Sequence, residues 1–219
     1  MPDNIWETPA NYDFFTDGPP YLPKLKTAST KVAQDVCNTQ AGLFDNMLQD
    51  YGLVKGAEVA AVLVYLRALA WLHQTHHWQT NGTTFYGDHL LFDRLYGAIQ
   101  AEVDTTAEKS IGVGLTLLVD ANMQAPQMVQ VLRCFSQPAD TDYTANAFVS
   151  SSYNAELCFS FFLQLAYRKL EAEGNLSLGL DNFLQGLADK NEEHLYLLKQ
   201  RLSLRNASKR ATANISYAR

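Results

Sequence analysis

The chain has 219 residues, of which 47% are hydrophobic and 18% are charged, and its formal net charge is -6. These values exclude an intrinsically disordered chain and, because of the acidic balance, a protein whose entire surface binds nucleic acid. The three cysteines, Cys37, Cys134 and Cys158, are too few for a disulfide framework. Neither a signal peptide nor an apolar segment of membrane length is evident, so we expect a cytoplasmic protein without membrane contact.

Residues 1–50 are predicted to form an N-terminal arm followed by an added helix. Residues 1–28 hold five of the seven prolines, which fix φ and lack an N–H group, so this part is expected to be extended. Its many aromatic residues suggest that the arm packs on its own or a neighbouring subunit. From Ser29 to Tyr51, apolar residues recur every three or four positions, which predicts a helix that ends at Gly52.

Residues 51–204 are predicted to form a four-helix bundle. The same apolar periodicity predicts four long helices, at about 57–78, 85–111, 147–173 and 180–204. Short turns follow the first and third of these, whereas an irregular stretch with a short helix at about 127–135 separates the second from the third. No segment shows convincing strand alternation. The predicted fold class is therefore all-α, a ferritin-like bundle with a short crossover helix.

Five potential metal ligands lie within a window of 32 residues: His77, His89, Asp93, Asp104 and Glu108. With His89 set at zero, the last four point at roughly 0°, 40°, 60° and 100° around the helix axis. They therefore share one stripe of a single helix. An isolated acidic residue on a helix is usually just solvated, and a lone histidine is usually structural, but the joint spacing favours a metal site.

A single straight helix cannot bring both ends of this stripe to one metal. Asp93 and Asp104 are about 16 Å apart along the axis, whereas metal–ligand bonds are about 2 Å long. A second copy of the helix, packed antiparallel about a two-fold axis, could complete the site. The mean of 89 and 108 and the mean of 93 and 104 are both 98.5, which places the axis between Ala98 and Ile99. The dimer would then hold two equivalent sites about 22 Å apart.

Each predicted site contains two imidazoles and three carboxylates. The turn at Asn81-Gly82 can fold His77 back towards His89. This ligand set suits Fe(II), Mn(II) or Zn(II) rather than a metal bound by thiolates. The sequence contains no Glu-x-x-His motif, which argues against the intra-subunit site of the larger ferritins.

Several other residues have simpler interpretations. His73 is expected to be structural, although an auxiliary ligand role stays open. His194 could line an iron path or serve packing. The aromatic residues Trp71, Tyr86 and Tyr96 are expected in the core by default.

The ligand window resembles the signature of the Dps family, the DNA-binding proteins from starved cells. The matching residues are His77-Trp78, Gly82, Phe85, His89, Phe92-Asp93, Asp104 and Ala107-Glu108. The resemblance implies that the five ligands form an inter-subunit ferroxidase centre. It also implies that Trp78 has a packing or electron-shielding role near the iron. It further implies a homododecameric shell that oxidises Fe(II) with hydrogen peroxide or oxygen, stores Fe(III) and protects against oxidative damage.

Residues 205–219 form a basic C-terminal tail. No acidic residue follows Glu193, and the tail carries Arg205, Lys209, Arg210 and Arg219. Displayed many times on a shell, such a tail could bind DNA without sequence specificity, although a solvated helix end is the simpler explanation. Two alternative functions stay open: a structural or DNA-binding assembly protein with little iron storage, and a different dimetal oxidoreductase.

Overall fold

The computed structural model describes the backbone of residues 28–135 and 145–216, and the side chains of residues 38–135 and 146–202. The predicted proline-rich arm and Arg219 lie outside these ranges. The described backbone is helical and contains no strand, which confirms the predicted fold class. Within the same ranges, no helix is long and apolar enough to cross a membrane.

Six α-helices make up the described backbone. They are α1 (Ala28–Asp50), α2 (Ala57–Gln79), α3 (Phe85–Gly112), α4 (Ala121–Arg133), α5 (Ala145–Ala172) and α6 (Leu178–Ser216). Short 3-10 turns at Gly82–Thr84 and Thr116–Val119 precede α3 and α4. The helices predicted at 57–78, 85–111 and 147–173 agree with α2, α3 and α5 to within two residues at each end.

The connections set the helix directions in the bundle of α2, α3, α5 and α6. A short turn joins α2 to α3, and another joins α5 to α6 after Gly174, which adopts the left-handed conformation that commonly ends a helix. Each of these pairs is therefore antiparallel. The long crossover that contains α4 lets α3 and α5 run in the same direction.

The added helix α1 is part of the main hydrophobic core. Phe44 of α1 packs edge-on against Phe162 of α5, with ring centroids 5.0 Å apart. The Tyr65 ring of α2 lies 4.8 Å from Phe162, and the Tyr65 hydroxyl donates a hydrogen bond to Gln40 Oε1 of α1 at 3.1 Å. Aromatic packing and a satisfied buried hydroxyl thus fix α1 on the bundle.

The crossover helix begins earlier than the predicted residue 127. The Asp120 side chain caps α4 by accepting a hydrogen bond from the Asn122 backbone N–H at 2.8 Å. Pro126 therefore lies in the second turn of α4, where it forgoes one helical hydrogen bond. The predicted start at about 127 was therefore wrong, because the helix begins with its cap at Asp120 and includes Pro126.

The last helix is longer than predicted. It ends at Ser216 rather than near 204, so the backbone at Arg205, Lys209 and Arg210 is helical. The side chains of these three residues lie outside the described set.

Candidate metal centre

Two predicted ligands meet where α2 turns into α3. The ring centroids of His77 and His89 are 3.7 Å apart, and the ring planes are 23° from parallel. Each Nδ1 donates a hydrogen bond to the backbone carbonyl oxygen of the other histidine, both at 3.0 Å. Because a carbonyl oxygen can only accept, each Nδ1 carries a proton, and Nε2 is the ring nitrogen left without a partner from these contacts. An imidazole oriented in this way presents Nε2 as a metal ligand.

The three predicted carboxylate ligands lie on the outer face of α3. Asp93, Asp104 and Glu108 are exposed, whereas Phe92 on the opposite face is fully buried. The ligand stripe therefore faces away from the bundle of its own chain. The structure brings His77 and His89 together but does not group Asp93 with them, and Asp104 and Glu108 lie farther along α3.

α3 is symmetric about the predicted two-fold axis. It begins at Phe85 and ends at Gly112, and the mean of these positions is again 98.5. Near its middle, a Cβ atom built on Gly97 would meet nothing within 4 Å, so the outer face is open there. Two copies of α3 packed antiparallel in this register would overlap along their whole length.

One chain supplies an incomplete ligand set. Among the described residues of the single chain, no three His, Cys, Asp or Glu side chains are grouped so that they could hold a metal ion. The predicted site needs Asp104 and Glu108 from a second chain. The donors themselves fit iron, because two neutral imidazoles suit Fe(II) and carboxylates suit the harder Fe(III).

Large aromatic residues surround the ligand stripe on the surface. Tyr86 is 74% exposed, Trp78 is 68% exposed and Trp71 is 58% exposed, so the expectation that Trp71 and Tyr86 belong to the core was wrong. Tyr96 is half-buried, with its ring centroid 5.5 Å from that of His77. A concentration of exposed aromatic surface in one region is typical of a face that contacts a partner.

A second group of polar residues, which we call the interior cluster, lies inside the bundle. It consists of His73, Ser152, Glu156, Asn191 and His194. His73 Nε2 and His194 Nδ1 lie 2.9 and 3.2 Å from Glu156 Oε1. Asn191 donates to Glu156 Oε2 at 2.6 Å, and Ser152 Oγ lies 3.0 Å from His73 Nδ1. Both oxygens of the buried carboxylate thus have partners from the same chain.

The interior cluster holds a buried ion pair. Burial alone would raise the pKa of Glu156, but the charge of His194 and hydrogen bonds from His194 and His73 outweigh it and lower that pKa to about 2. Burial likewise opposes the charging of His194, yet its hydrogen bond to Glu156 and the carboxylate charge raise the pKa of this imidazole above the usual value. Glu156 is therefore ionised at neutral pH, and the raised pKa of His194 favours the charged imidazolium beside it.

Two more buried titratable groups flank the cluster. His76 Nδ1 lies 2.8 Å from Ser152 Oγ, and burial lowers the pKa of His76 to about 3, which keeps the ring neutral. Glu102, on the inner face of α3, has its Oε1 atom 3.5 Å from the Lys190 ammonium group. Burial raises the pKa of Glu102. These groups show that the inner and outer faces of the bundle helices carry separate sets of ligand-type residues.

Sequence reasoning missed Glu156, although a signal was present. Ser152 and Glu156 fall on the apolar stripe of α5, between Val149 and Phe159. A carboxylate on a buried stripe requires compensating partners, and histidines on neighbouring helices are suitable ones. The interpretation of His73 as structural is confirmed by its two hydrogen-bonded ring nitrogens.

Comparison with known proteins finds solved structures with a similar fold but no matching sequence family. No protein-family model matches the sequence, and neither does any curated protein. DpsC from Streptomyces coelicolor matches the structure with a TM-score of 0.55 and 22% identity, over 68% of this chain and 83% of that one. Dps from Thermosynechococcus elongatus matches with a TM-score of 0.54 and 17% identity, over 72% and 94% of the two chains. A mutant of Dps1 from Mycobacterium smegmatis matches with a TM-score of 0.54 and 16% identity, over 75% and 97%.

At these low identities, the likeness shows the fold. The chain has the helical bundle of Dps proteins, as predicted from its ligand window and helix layout, and it spans most of the length of each of the three structures. The activity of the protein is a separate question, which rests on the residues of the outer face.

Proposed function

We propose that this protein is an iron oxidase and iron store that works as a homo-oligomeric shell. Its substrate is Fe(II), which binds between two subunits and is oxidised by hydrogen peroxide. Two Fe(II) ions lose one electron each, and one peroxide molecule with two protons is reduced to two water molecules. This reaction consumes peroxide without releasing hydroxyl radicals, and the Fe(III) product would be stored inside the shell.

The observation that carries the proposal is the outward-facing ligand stripe centred on a two-fold axis. The ligand pairs and the ends of α3 share the midpoint 98.5, and the ligands of α3 face away from their own core. A solvated acidic face would not need two histidines whose Nδ1 atoms both donate to backbone carbonyl oxygens and leave Nε2 for a ligand. These features support a site assembled from two identical chains.

Each residue has a stated part in this site. His77 and His89 bind Fe(II) through Nε2, and Asp93 of the same subunit adds a carboxylate. Asp104 and Glu108 of the partner subunit complete the set and favour Fe(III) once it forms. Trp78, next to His77 and largely exposed, would cover the iron from solvent when a partner subunit packs against it.

A complementation experiment tests whether the site is shared. One variant carries His77→Ala and His89→Ala, and the other carries Asp104→Ala and Glu108→Ala. Neither homodimer has a complete site, but a mixed dimer has one complete and one empty site. Co-expression at equal levels should therefore restore Fe(II) oxidation to about one quarter of the sites, because about half of the dimers are mixed.

The control pair replaces exposed carboxylates elsewhere. Glu171→Ala with Asp189→Ala removes two exposed acidic side chains and should oxidise Fe(II) at the unmodified rate. If the mixed dimers stay inactive while both parent variants fold and dimerise, the shared site is refuted. If the Asp104 and Glu108 variant alone retains full activity, the ligand assignment itself is refuted.

Storage is tested separately by iron loading. The oligomer is given Fe(II) with limiting peroxide, separated from free iron by size exclusion, and analysed for iron content by mass spectrometry. Iron far in excess of the binding sites would support an enclosed store. Iron equal to the number of sites or fewer would favour the structural or assembly alternative.

DNA binding is a second candidate function, and the extension of α6 favours it. The helical backbone of α6 continues through positions 205, 209 and 210, so three of the basic residues belong to one helix. Many copies on a shell would bind phosphates without sequence preference. DNA binding that weakens steeply with salt and disappears on deletion of residues 205–219 would support this function, whereas unchanged binding after deletion would reject it.

A further inference from the structure

The ligand stripe of α3 ends in an exposed apolar residue on each side. Tyr86 lies in the first turn of α3 and is 74% exposed, and Ile111 lies in the last turn and is 49% exposed. Relative to His89, they point at about 60° and 40°, which places both on the stripe of metal ligands. Neither residue contributes to the cores of its own chain.

These two residues are related by the same symmetry as the ligands. The mean of 86 and 111 is 98.5, the midpoint shared by the ligand pairs and by the ends of α3. In the antiparallel dimer, Tyr86 therefore lies at the level of Ile111 of the partner subunit. This level is three residues, about 4.5 Å along the helix axis, beyond the level of His89 and the partner's Glu108.

Along the helix axis, a second apolar pair lies between the level of His89 with the partner subunit's Glu108 and the level of Asp93 with the partner subunit's Asp104. Leu90 is 48% exposed, and the residue paired with it by the symmetry is Ala107 of the partner subunit. Each metal site thus has apolar side chains along it, and the larger apolar pair, Tyr86 with the partner subunit's Ile111, lies at its outer end. In a single chain these side chains would contact water, which is unfavourable for large apolar surfaces.

From this geometry we propose that Tyr86 and the partner subunit's Ile111 form an apolar cap over the outer end of each metal site. The inference rests on the proposed inter-subunit site and adds a role for two residues outside the ligand set. The cap excludes bulk water from that end, which strengthens the attraction between the metal and its carboxylates. It also leaves the opposite end of the site as the route for ions and oxidant, so bound metal is released slowly.

A disulfide cross-link tests the contact directly. Tyr86→Cys and Ile111→Cys are introduced together into a chain with Cys37→Ser and Cys134→Ser, because Cys134 is exposed. Within one chain the two positions are about 37 Å apart, so they cannot form an intramolecular disulfide. Mild oxidation should therefore produce a covalent dimer on a non-reducing gel.

The matched control moves one cysteine to another face of α3. Tyr86→Cys with Lys109→Cys keeps nearly the same level along the axis, but Lys109 points about 160° away from Ile111. This pair should give little covalent dimer. If the first pair fails to cross-link while the protein dimerises and the complementation experiment succeeds, the cap is refuted and the proposed function stands.

Metal release tests the consequence of the cap. Co(II) is bound to the oligomer as a spectroscopic probe, and its removal by excess chelator is followed in Ile111→Ala and in Leu117→Ala, which shortens an exposed apolar residue beyond α3. Release should be severalfold faster in Ile111→Ala and unchanged in Leu117→Ala. Equal release from Ile111→Ala and the unmodified protein would overturn the cap. Failure of the unmodified protein to bind Co(II) would count against the proposed function, and the cross-link would then decide the contact alone.

Discussion

The histidines of this protein fall into two regions with opposite chemistry. Inside the bundle, His73 and His194 direct ring nitrogens to Glu156, so their hydrogen bonds are completed within one chain. At the turn between α2 and α3, the hydrogen bonds of the His77 and His89 rings run through Nδ1 to backbone carbonyl oxygens of their own chain. The first region is complete in a single chain, whereas the second is the site for which we propose ligands from a partner subunit.

This difference separates a structural polar group from a binding group. A buried polar group must be satisfied by its own fold, because an unpaired buried charge is strongly destabilising. A polar group on the outer face does not need a protein partner, because water forms hydrogen bonds with it until a ligand or another subunit binds. We therefore expect changes in the interior cluster to act on stability, and changes in the outer stripe to act on binding and assembly.

The largest expected effect comes from breaking the interior ion pair. Glu156→Ala should lower the free energy of unfolding by about 3–5 kcal/mol, because it removes the carboxylate that accepts hydrogen bonds from His73, His194 and Asn191 and leaves these buried groups unpaired. Urea unfolding at fixed protein concentration measures this loss. Glu171→Ala, an exposed change on the same helix, should shift stability by no more than about 0.5 kcal/mol. Similar unfolding midpoints for the two variants would contradict the contrast.

The same pair predicts a pH dependence with two limits. The pKa of Glu156 is 4.5 in an unfolded chain and about 2 in the fold, so its contribution is complete above pH 4.5 and is lost as the pH falls towards 2. That contribution is about 3 kcal/mol. The pKa of His194 is raised above 6.5, so its contribution is complete below pH 6.5 and is lost as the pH rises through the folded value.

Because the lowered pKa of His76 also removes stability as the pH falls below 6.5, unfolding measured between pH 2 and 9 should show maximal stability near pH 6.5. Glu156→Gln keeps the shape of the side chain but removes the charge, so it should weaken both limbs of the curve. If the Gln variant keeps both limbs unchanged, the pair does not control the acid and alkaline behaviour.

An effect of intermediate size, on association between subunits, is expected when a larger side chain is placed at the middle of the outer face of α3. Gly97→Leu has room within its own chain, because a Cβ there meets nothing within 4 Å, and replacing a helical glycine should add up to about 1 kcal/mol of stability. The larger side chain should obstruct the antiparallel packing of two α3 helices and weaken association by about tenfold or more. Sedimentation velocity across a concentration series measures the association.

Gly186→Leu is the matched control for that change. Gly186 lies in α6 and has similar free space around its Cβ position. It should gain the same helical stability without any change in association. If Gly97→Leu associates as tightly as the unmodified protein, the dimer contact does not involve the middle of α3.

The smallest effect on stability is expected from a substitution at an outer histidine, His89. His89→Ala removes one hydrogen bond to the His77 carbonyl oxygen and should cost about 1 kcal/mol of stability while abolishing metal binding. His89→Asn can place an amide donor near the position of Nδ1, so it should restore part of the stability but none of the binding. Calorimetry with Zn(II) and urea unfolding separate the two effects, and equal stability of both variants would disprove the role of Nδ1.

Sequence reasoning succeeded where one rule dominates. Apolar residues at helical spacing located α2, α3 and α5, because burial of a continuous stripe decides their position. Helical geometry also placed Asp93 and Asp104 on one stripe, and the structure puts both on the exposed side of α3. The metal ligation of these residues stays a prediction.

Sequence reasoning failed where tertiary contacts compete with local signals. Glu156 was overlooked because its partners come from helices that are distant in sequence. The start of α4 was misplaced because a cap at Asp120 outweighs the helix-breaking tendency of Pro126. Tyr86 was assigned to the core because an apolar residue on a helix does not reveal whether it faces its own chain or another.

The two-fold axis that we propose at the middle of α3 has a consequence for inheritance. If one gene encodes both sides of the interface, a mutation at any stripe position changes the dimer in two places at once. Its compensation must arise at the position that shares the midpoint 98.5, as 86 does with 111 and 93 does with 104. Among related genes, we expect such mirror-related positions of α3 to covary, although they are too far apart in one chain to touch.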